Sequence, residues 1–326
     1  MYESHFGLSK TPFSLTPDPA MLYLPPSHRE ALAALSYTVR RQKGFMVLVG
    51  EAGTGKTTLL RKLMATVREA IGLSAVVSTP TLAPDEFLEL VLVRLGMVDP
   101  PASKAARMLW LEGALIEANR EKKIPVLVID EAHKLSPSVL EEIRLLTNFE
   151  TADHKLLQVI LAGQPELNHL LDRADLWQFK QRVAVRVSLE PLAAHQVFTY
   201  ISHRWQQAGG PLPLPFEQEA IELVVEACAG IPRIINSVCD NALLLAYGMR
   251  ARRIERSTIA EVLRDLGLTP VVELPRALEP AAALDGPALA PHLPFEFRMF
   301  REGNESDLRS RFFARWVNRR RAATSE

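Results

Sequence analysis

The chain has 326 residues, enough for one large core and a smaller unit. Its apolar fraction of 48% and charged fraction of 23% are those of an ordinary soluble globular protein. Lys and Arg number 38, as do Asp and Glu, so no global field draws the chain to nucleic acid or acidic lipid, and any basic surface must be local.

Met1-Tyr2-Glu3-Ser4-His5-Phe6 lacks the basic-then-apolar order of a signal peptide. No apolar run approaches the length of a membrane span. A cytoplasmic location is expected, with a peripheral association with the inner membrane left open. Residues 1–27 form a lead-in rich in Pro and Phe, and a helix is predicted over 28–41. Strand candidates at 45–49, 74–78, 125–129, 156–162 and 183–189 then alternate with helical patterns near 57–70, 84–96, 104–122, 136–149 and 165–181. Such alternation predicts an α/β fold, a parallel sheet covered by helices on both faces.

After Pro191 the pattern becomes helical only, at 193–208, 217–229, 232–248 and 256–266. Gly209-Gly210-Pro211 and Gly230-Ile231-Pro232 punctuate these helices, which read as a small separate domain. The expected boundaries are 1–44 for the lead-in and first helix, 45–191 for the core and 192–268 for the helical domain. A Pro/Ala-rich linker at 269–294 and a tail at 295–326 follow. Cys228 and Cys239 sit in helical sequence and read as two buried thiols in a reducing compartment.

Gly50-Glu51-Ala52-Gly53-Thr54-Gly55-Lys56-Thr57 matches the phosphate-wrapping pattern G-x-x-x-x-G-K-[ST]. An apolar strand candidate precedes it, and a helical pattern opening with Thr58 follows, as the chemistry requires. The glycines let backbone N–H groups turn inward around a β-phosphate, and the helix N-terminus adds partial positive charge. Lys56 is expected to reach the β- and γ-phosphates of ATP, and Thr57 to hold Mg²⁺.

Val126-Leu127-Val128-Ile129-Asp130-Glu131 supplies the partner of that loop. An apolar strand ending in two carboxylates puts them at the C-terminal edge of a parallel sheet, where ligands bind. Asp130 would support Mg²⁺, and Glu131 would position or deprotonate the attacking water. Asp130-Glu131-Ala132-His133 also spells a helicase motif, but the chain is too short for two helicase cores and a helical domain follows the sheet. His133 is read as a surface residue or one standing behind the site.

Gln164 ends a strand expected beside the one carrying Asp130, where it would touch the γ-phosphate or the water, or serve as a plain turn residue. Arg182, before the last strand, fits either a finger reaching a neighbouring subunit's γ-phosphate or a solvated basic turn, with Arg186 as rival. Pro232 suits the first turn of a helix and would set Arg233 at its N-terminus, where it can close over nucleotide or stand as an ordinary surface arginine.

With these residues in place, the chain resembles the ExeA-type family of AAA+ ATPases, associated with type II secretion and pilus biogenesis. The resemblance covers about residues 1–267 and extends to Tyr2-x-x-x-Phe6-Gly7-Leu8, Pro12-Phe13-Ser14-Leu15-Thr16-Pro17-Asp18-Pro19, Ser27-His28-Arg29-Glu30-Ala31-Leu32, Leu145-Leu146-Thr147-Asn148-Phe149-Glu150 and Gly163-Gln164-Pro165-Glu166-Leu167. It implies a P-loop core with a five-stranded sheet between helices and a helical lid. It further implies Gln164 as first sensor, Arg233 as second and Arg182 as finger. ATP and Mg²⁺ are the implied ligands. Secretion members can carry a membrane span and a cell-wall-binding domain after the ATPase, whereas here the linker and tail are expected, which points to shorter pilus-type relatives.

In the tail, Leu308, Phe312, Phe313, Trp316 and Val317 share one helical face, surrounded by Arg309, Arg311, Arg315, Arg319, Arg320 and Arg321. Such a basic amphipathic segment binds duplex DNA, an anionic membrane surface or an acidic partner, or docks on its own protein. The combined expectation is an ATP hydrolase acting as switch or motor in assembly of a secretion or pilus system, as a homo-oligomeric ring or filament. The alternatives are a DNA-binding regulator of transposition or replication and a slow signalling NTPase.

Overall fold

All six residues of β1 (Phe45–Gly50) are buried, which requires cover on both faces of the strand. The structure, a computed structural model, describes residues 1–16, 18–78 and 81–268. The linker and tail expected at 269–326 lie outside the described residues. Four further strands join β1: β2 (Ile71–Val77), β3 (Ile124–Ile129), β4 (Gln158–Gly163) and β5 (Val183–Leu189). They form a five-stranded sheet in the order β2-β3-β4-β1-β5, with every pair parallel.

The sheet matches the five strands expected from sequence, with shifted ends. β3 and β4, like β1, are buried throughout, whereas β2 and β5 lie at the edges and carry exposed positions. β2 starts at Ile71 rather than at residue 74, because Ile71 pairs with Ile124 ahead of a register shift before Ser74. Alternation along β1 assigns its two faces. Phe45, Val47 and Val49 enter a core with α4 (Pro84–Arg94), α5 (Lys104–Arg120) and α6 (Pro137–Leu146). Met46 and Leu48 enter another with α2 (Pro26–Arg40) and α3 (Lys56–Val67).

The continuous helix expected over 165–181 is a correction. The structure has α7 (Glu166–Leu171), a 3₁₀ turn at Ala174–Leu176 and α8 (Trp177–Lys180). Its buried positions are Leu167, Leu171, Leu176 and Phe179. The five-residue step from Leu171 to Leu176 does not fit one helical face, so the chain breaks to return Leu176 and Phe179 to the core. Arg173 adopts an extended conformation there, and its guanidinium pairs with both Asp175 oxygens at 2.9 and 3.0 Å.

Beyond β5 come α9 (Ala194–Gln207), α10 (Gln218–Cys228), α11 (Pro232–Gly248) and α12 (Arg256–Asp265). They share a third apolar cluster, which includes both cysteines as free, buried thiols. Burial pushes the Cys228 thiol up to about 12. The sequence assigned no packing partner to the lead-in, and the structure supplies one. Tyr2, Phe6, Leu8, Phe13 and Met21 complete this third cluster, with Tyr2 and Phe6 on a short helix, α1 (Tyr2–Phe6). Polar contacts fix the same seam: Ser9 Oγ donates to Ala208 O at 2.8 Å, and Arg204 Nε donates to Pro12 O at 2.7 Å.

Candidate nucleotide site

The sheet order brings three strand ends together. β4 lies between β3 and β1, so the residues after them, Asp130, Gln164 and the loop from Gly50, gather at one C-terminal edge. The loop turns through Gly53 at φ +83° and Gly55 at φ +99°, conformations that glycine adopts without a Cβ penalty. Lys56 opens α3, and its ammonium donates to Gly50 O at 2.8 Å and Glu51 O at 2.9 Å. Burial pushes the Lys56 pKa down, against the opposing pull of Asp130, Glu131, Glu51 and Glu166.

Thr57 Oγ1 donates to Asp130 Oδ2 at 2.7 Å, while Asp130 Oδ1 accepts from the Glu131 N–H at 3.0 Å. Asp130 is only 6% exposed, so its carboxylate is held in one place. A hydroxyl and a carboxylate side by side are hard oxygen donors suited to Mg²⁺. Among the described residues no group of three or more His, Cys, Asp or Glu could hold a metal by itself. The donor set therefore fits an ion shared with substrate phosphates rather than an all-protein cage.

Glu131 follows with φ +56°, in the left-handed region, and its Oε2 stands 3.2 Å from Lys134 Nζ. Gln164 meets His133: its backbone N–H donates to His133 Nδ1 at 3.3 Å, and its side-chain amide lies 3.3 Å from His133 Nε2. The His133 side chain is 11% exposed, so it stands behind the site rather than on the open surface.

A cleft of about 370 Å³ runs along the loop, with Lys56, Thr57, Thr58, Glu131 and Gln164 on one side. Arg233 lines it from α11, whose start is fastened to the loop by Arg233 N–H donating to Gly53 O at 3.3 Å. A Cβ on Gly53 would lie 2.7 Å from Arg233 Cβ, so only glycine permits this approach. Arg182 lies elsewhere. Its Nη1 donates to Arg144 O, Thr147 Oγ1 and Asn148 Oδ1 at 3.2, 3.0 and 2.5 Å, at the end of α6. Arg186 Nη1 stands 3.9 Å from Asp172 Oδ1.

Sequence reasoning missed several cleft residues: Tyr23 from the lead-in, His28, and Tyr200, Arg204 and Asn236 from the helical unit. His28 Nε2 donates to Thr54 O at 3.0 Å and so ties α2 to the loop. Arg204 Nη1 donates to Tyr200 Oη at 3.1 Å, and Tyr200 Oη donates to Asn236 Oδ1 at 2.7 Å. A signal existed. Val197, Tyr200, Ile201, Arg204 and Trp205 form the buried stripe of α9, and an arginine on an otherwise apolar stripe marks a polar task.

Comparison with known proteins agrees with this arrangement. Residues 39–171 match the family model described as AAA domain. The chain is 38% identical over 261 residues to General secretion pathway protein A of Aeromonas hydrophila, covering 80% of this chain and 47% of that protein. It thus spans about half the length of that relative. In fold it is similar to Cdc6p from Pyrobaculum aerophilum, at TM-score 0.60 and 17% identity over 78% of this chain and 70% of that one. ORC2 protein from Aeropyrum pernix gives TM-score 0.58 and 14% identity, over 77% and 72%. At such identities the likeness shows the fold alone.

The sheet order, the loop after β1 and the Asp-Glu pair after β3 define a P-loop protein of the AAA+ class. Within that class the likeness to General secretion pathway protein A, over 80% of this chain, supports the resemblance to the ExeA-type family.

Proposed function

We propose that this chain binds Mg–ATP in the cleft and hydrolyses it, as a switch or motor in the assembly of a secretion or pilus system. The observation that carries this is the junction of Thr57 with Asp130 at 2.7 Å, directly beneath a glycine loop that opens α3. The loop N–H groups and Lys56 take the β- and γ-phosphates. Thr57 and Asp130 hold Mg²⁺, which neutralises charge on the phosphate oxygens. Glu131 orients a water and accepts its proton as that water attacks the γ-phosphorus and ADP leaves. Gln164 senses the γ-phosphate. Arg233 senses it from the helical unit, which serves as a lid. Arg182 is the finger offered to a neighbouring subunit's site, with Arg186 as its rival.

The process is read from the likeness to a general secretion pathway protein. Among the described residues no helix is long and apolar enough to cross a membrane. A contact with a membrane-bound assembly would run through the described surface or the basic tail. The test is steady-state ATP turnover at low salt, with Glu131→Gln as the blank, alone, with duplex DNA and with anionic vesicles. Turnover above the blank that DNA leaves unchanged supports the secretion or pilus reading. Strong stimulation by DNA would replace that process with transposition or replication, and turnover equal to the blank would remove hydrolysis.

A further inference from the structure

We propose that His133 is a positioning residue that couples Gln164 to Glu131, so that contact of Gln164 with nucleotide sets where the catalytic carboxylate stands. The role rests on the reading of Glu131 and Gln164 given above. His133 lies in the 3₁₀ turn Ala132–Lys134 directly after the Asp-Glu pair, pressed against the end of β4. A Cβ on Gly163 would lie 3.1 Å from the His133 backbone nitrogen, so the glycine before Gln164 permits this close approach.

The hydrogen bonds assign the ring its tautomer. Gln164 N–H donates to Nδ1, so Nδ1 is the acceptor and the neutral ring carries its proton on Nε2. That single N–H faces two acceptors. The Gln164 amide places its Nε2 3.3 Å away, and because a ring N–H needs an acceptor there, the Nε2–H tautomer requires the amide to be turned so that Oε1 faces the ring, while Glu131 Oε2 is 3.8 Å away. Lys134 Nζ, at 3.2 Å, holds the same carboxylate oxygen. With Gln164 on the ring, Glu131 stays with Lys134. Once the Gln164 amide turns to the γ-phosphate, the Nε2–H is released to Glu131 and draws it from Lys134 toward the attacking water. One proton shared between two acceptors is thus a two-position element that links β3 to β4.

The experiment uses the full chain with Mg–ATP and compares wild type with His133→Asn, His133→Gln, Gln164→Ala and the double variant His133→Asn/Gln164→Ala. Turnover and the affinity of a fluorescent ATP analogue are read for each. Asparagine places an acceptor oxygen where Nδ1 stands and keeps the bond from Gln164 N–H, but nothing replaces Nε2. We expect His133→Asn to lose turnover by about 10- to 100-fold, as loss of residues that orient a reactive group does, with unchanged analogue affinity. His133→Gln, long enough to reach Glu131, recovers part of that loss. The double variant falls no lower than Gln164→Ala, because the two residues act in one chain.

Wild-type turnover in His133→Asn, or losses that multiply in the double variant, would overturn the coupling while leaving the hydrolysis reading intact. A wild-type protein no faster than Glu131→Gln would overturn hydrolysis and the coupling together.

Discussion

Lys56 shows how much of the site is decided by single residues. Its ammonium is drawn inward by the Gly50 and Glu51 carbonyls, 2.8 and 2.9 Å away, and so sits over the loop where phosphate oxygens would compete for it. Lys56→Ala removes that charge and is expected to weaken ATP binding by at least about 30-fold, the low end for truncating one member of a buried charge pair. A calorimetric titration checks this, and wild-type affinity would sink the phosphate-loop assignment. Glu131 carries a different cost. A non-glycine residue at φ +56° stores about 1–3 kcal/mol, and such strain gathers where a side chain must be aimed. Glycine, lysine, threonine and paired acids at fixed spacing were legible in sequence because each residue type has a narrow chemical use there. For His133 the sequence left open a surface place or one behind the site and did not show its partner Gln164, while Arg204 and Asn236 were not legible, since such tasks come from partners distant in the chain, such as Pro12 for Arg204.

At the scale of elements, apolar runs revealed the strands, because a fully buried strand has no alternation to hide. Edge strands were harder, and β2 was cut short since its first residues alternate between half-buried and exposed. The break after α7 was missed because Asp172, Arg173, Ala174 and Asp175 include neither Gly nor Pro, and only the five-residue step between buried leucines betrays it. The α2–loop tie has a consequence for pH. Burial lowers the His28 pKa below 6.5, with Ser27 Oγ and Thr54 O as its neighbours. Above about pH 6.5 the residue is neutral folded and unfolded, and contributes no pH dependence. As pH falls through 6.5 the unfolded chain takes up a proton that the folded state resists, so stability falls with acid. His203 is lowered in the same direction by burial, then by Arg204. Melting curves from pH 7 to about 5 should show a slope that His28→Gln reduces, because glutamine keeps a donor for Thr54 O without a titrating ring. An unchanged slope would remove His28 from that role.

For the whole molecule, the lead-in and the helices after β5 share one apolar cluster, so the first residues of the chain are structurally part of its last described unit. Phe13 is fully buried there, edge-on to Phe216. Phe13→Ala is expected to cost about 3–5 kcal/mol in denaturant unfolding, and a loss below 1 would mean the lead-in is dispensable to that cluster. The sequence placed the lead-in and the helical region separately, and nothing in their local periodicity reveals that they meet. If Arg182 acts on a neighbour, Arg182→Ala loses about 10³–10⁵ in turnover and keeps its ATP affinity. Mixing it with Glu131→Gln then restores activity, because one partner brings an intact site and the other an intact finger. Additive inactivity in the mixture would leave Arg182 as a cap for α6. The most direct test of the account is the fate of one bound ATP per chain, quenched over time in wild type and in Glu131→Gln. We predict that both bind ATP equally, and that conversion to ADP is slower in the variant by about 10²–10⁴-fold. Equal conversion rates would contradict the assignment of the cleft as the site of hydrolysis by Glu131.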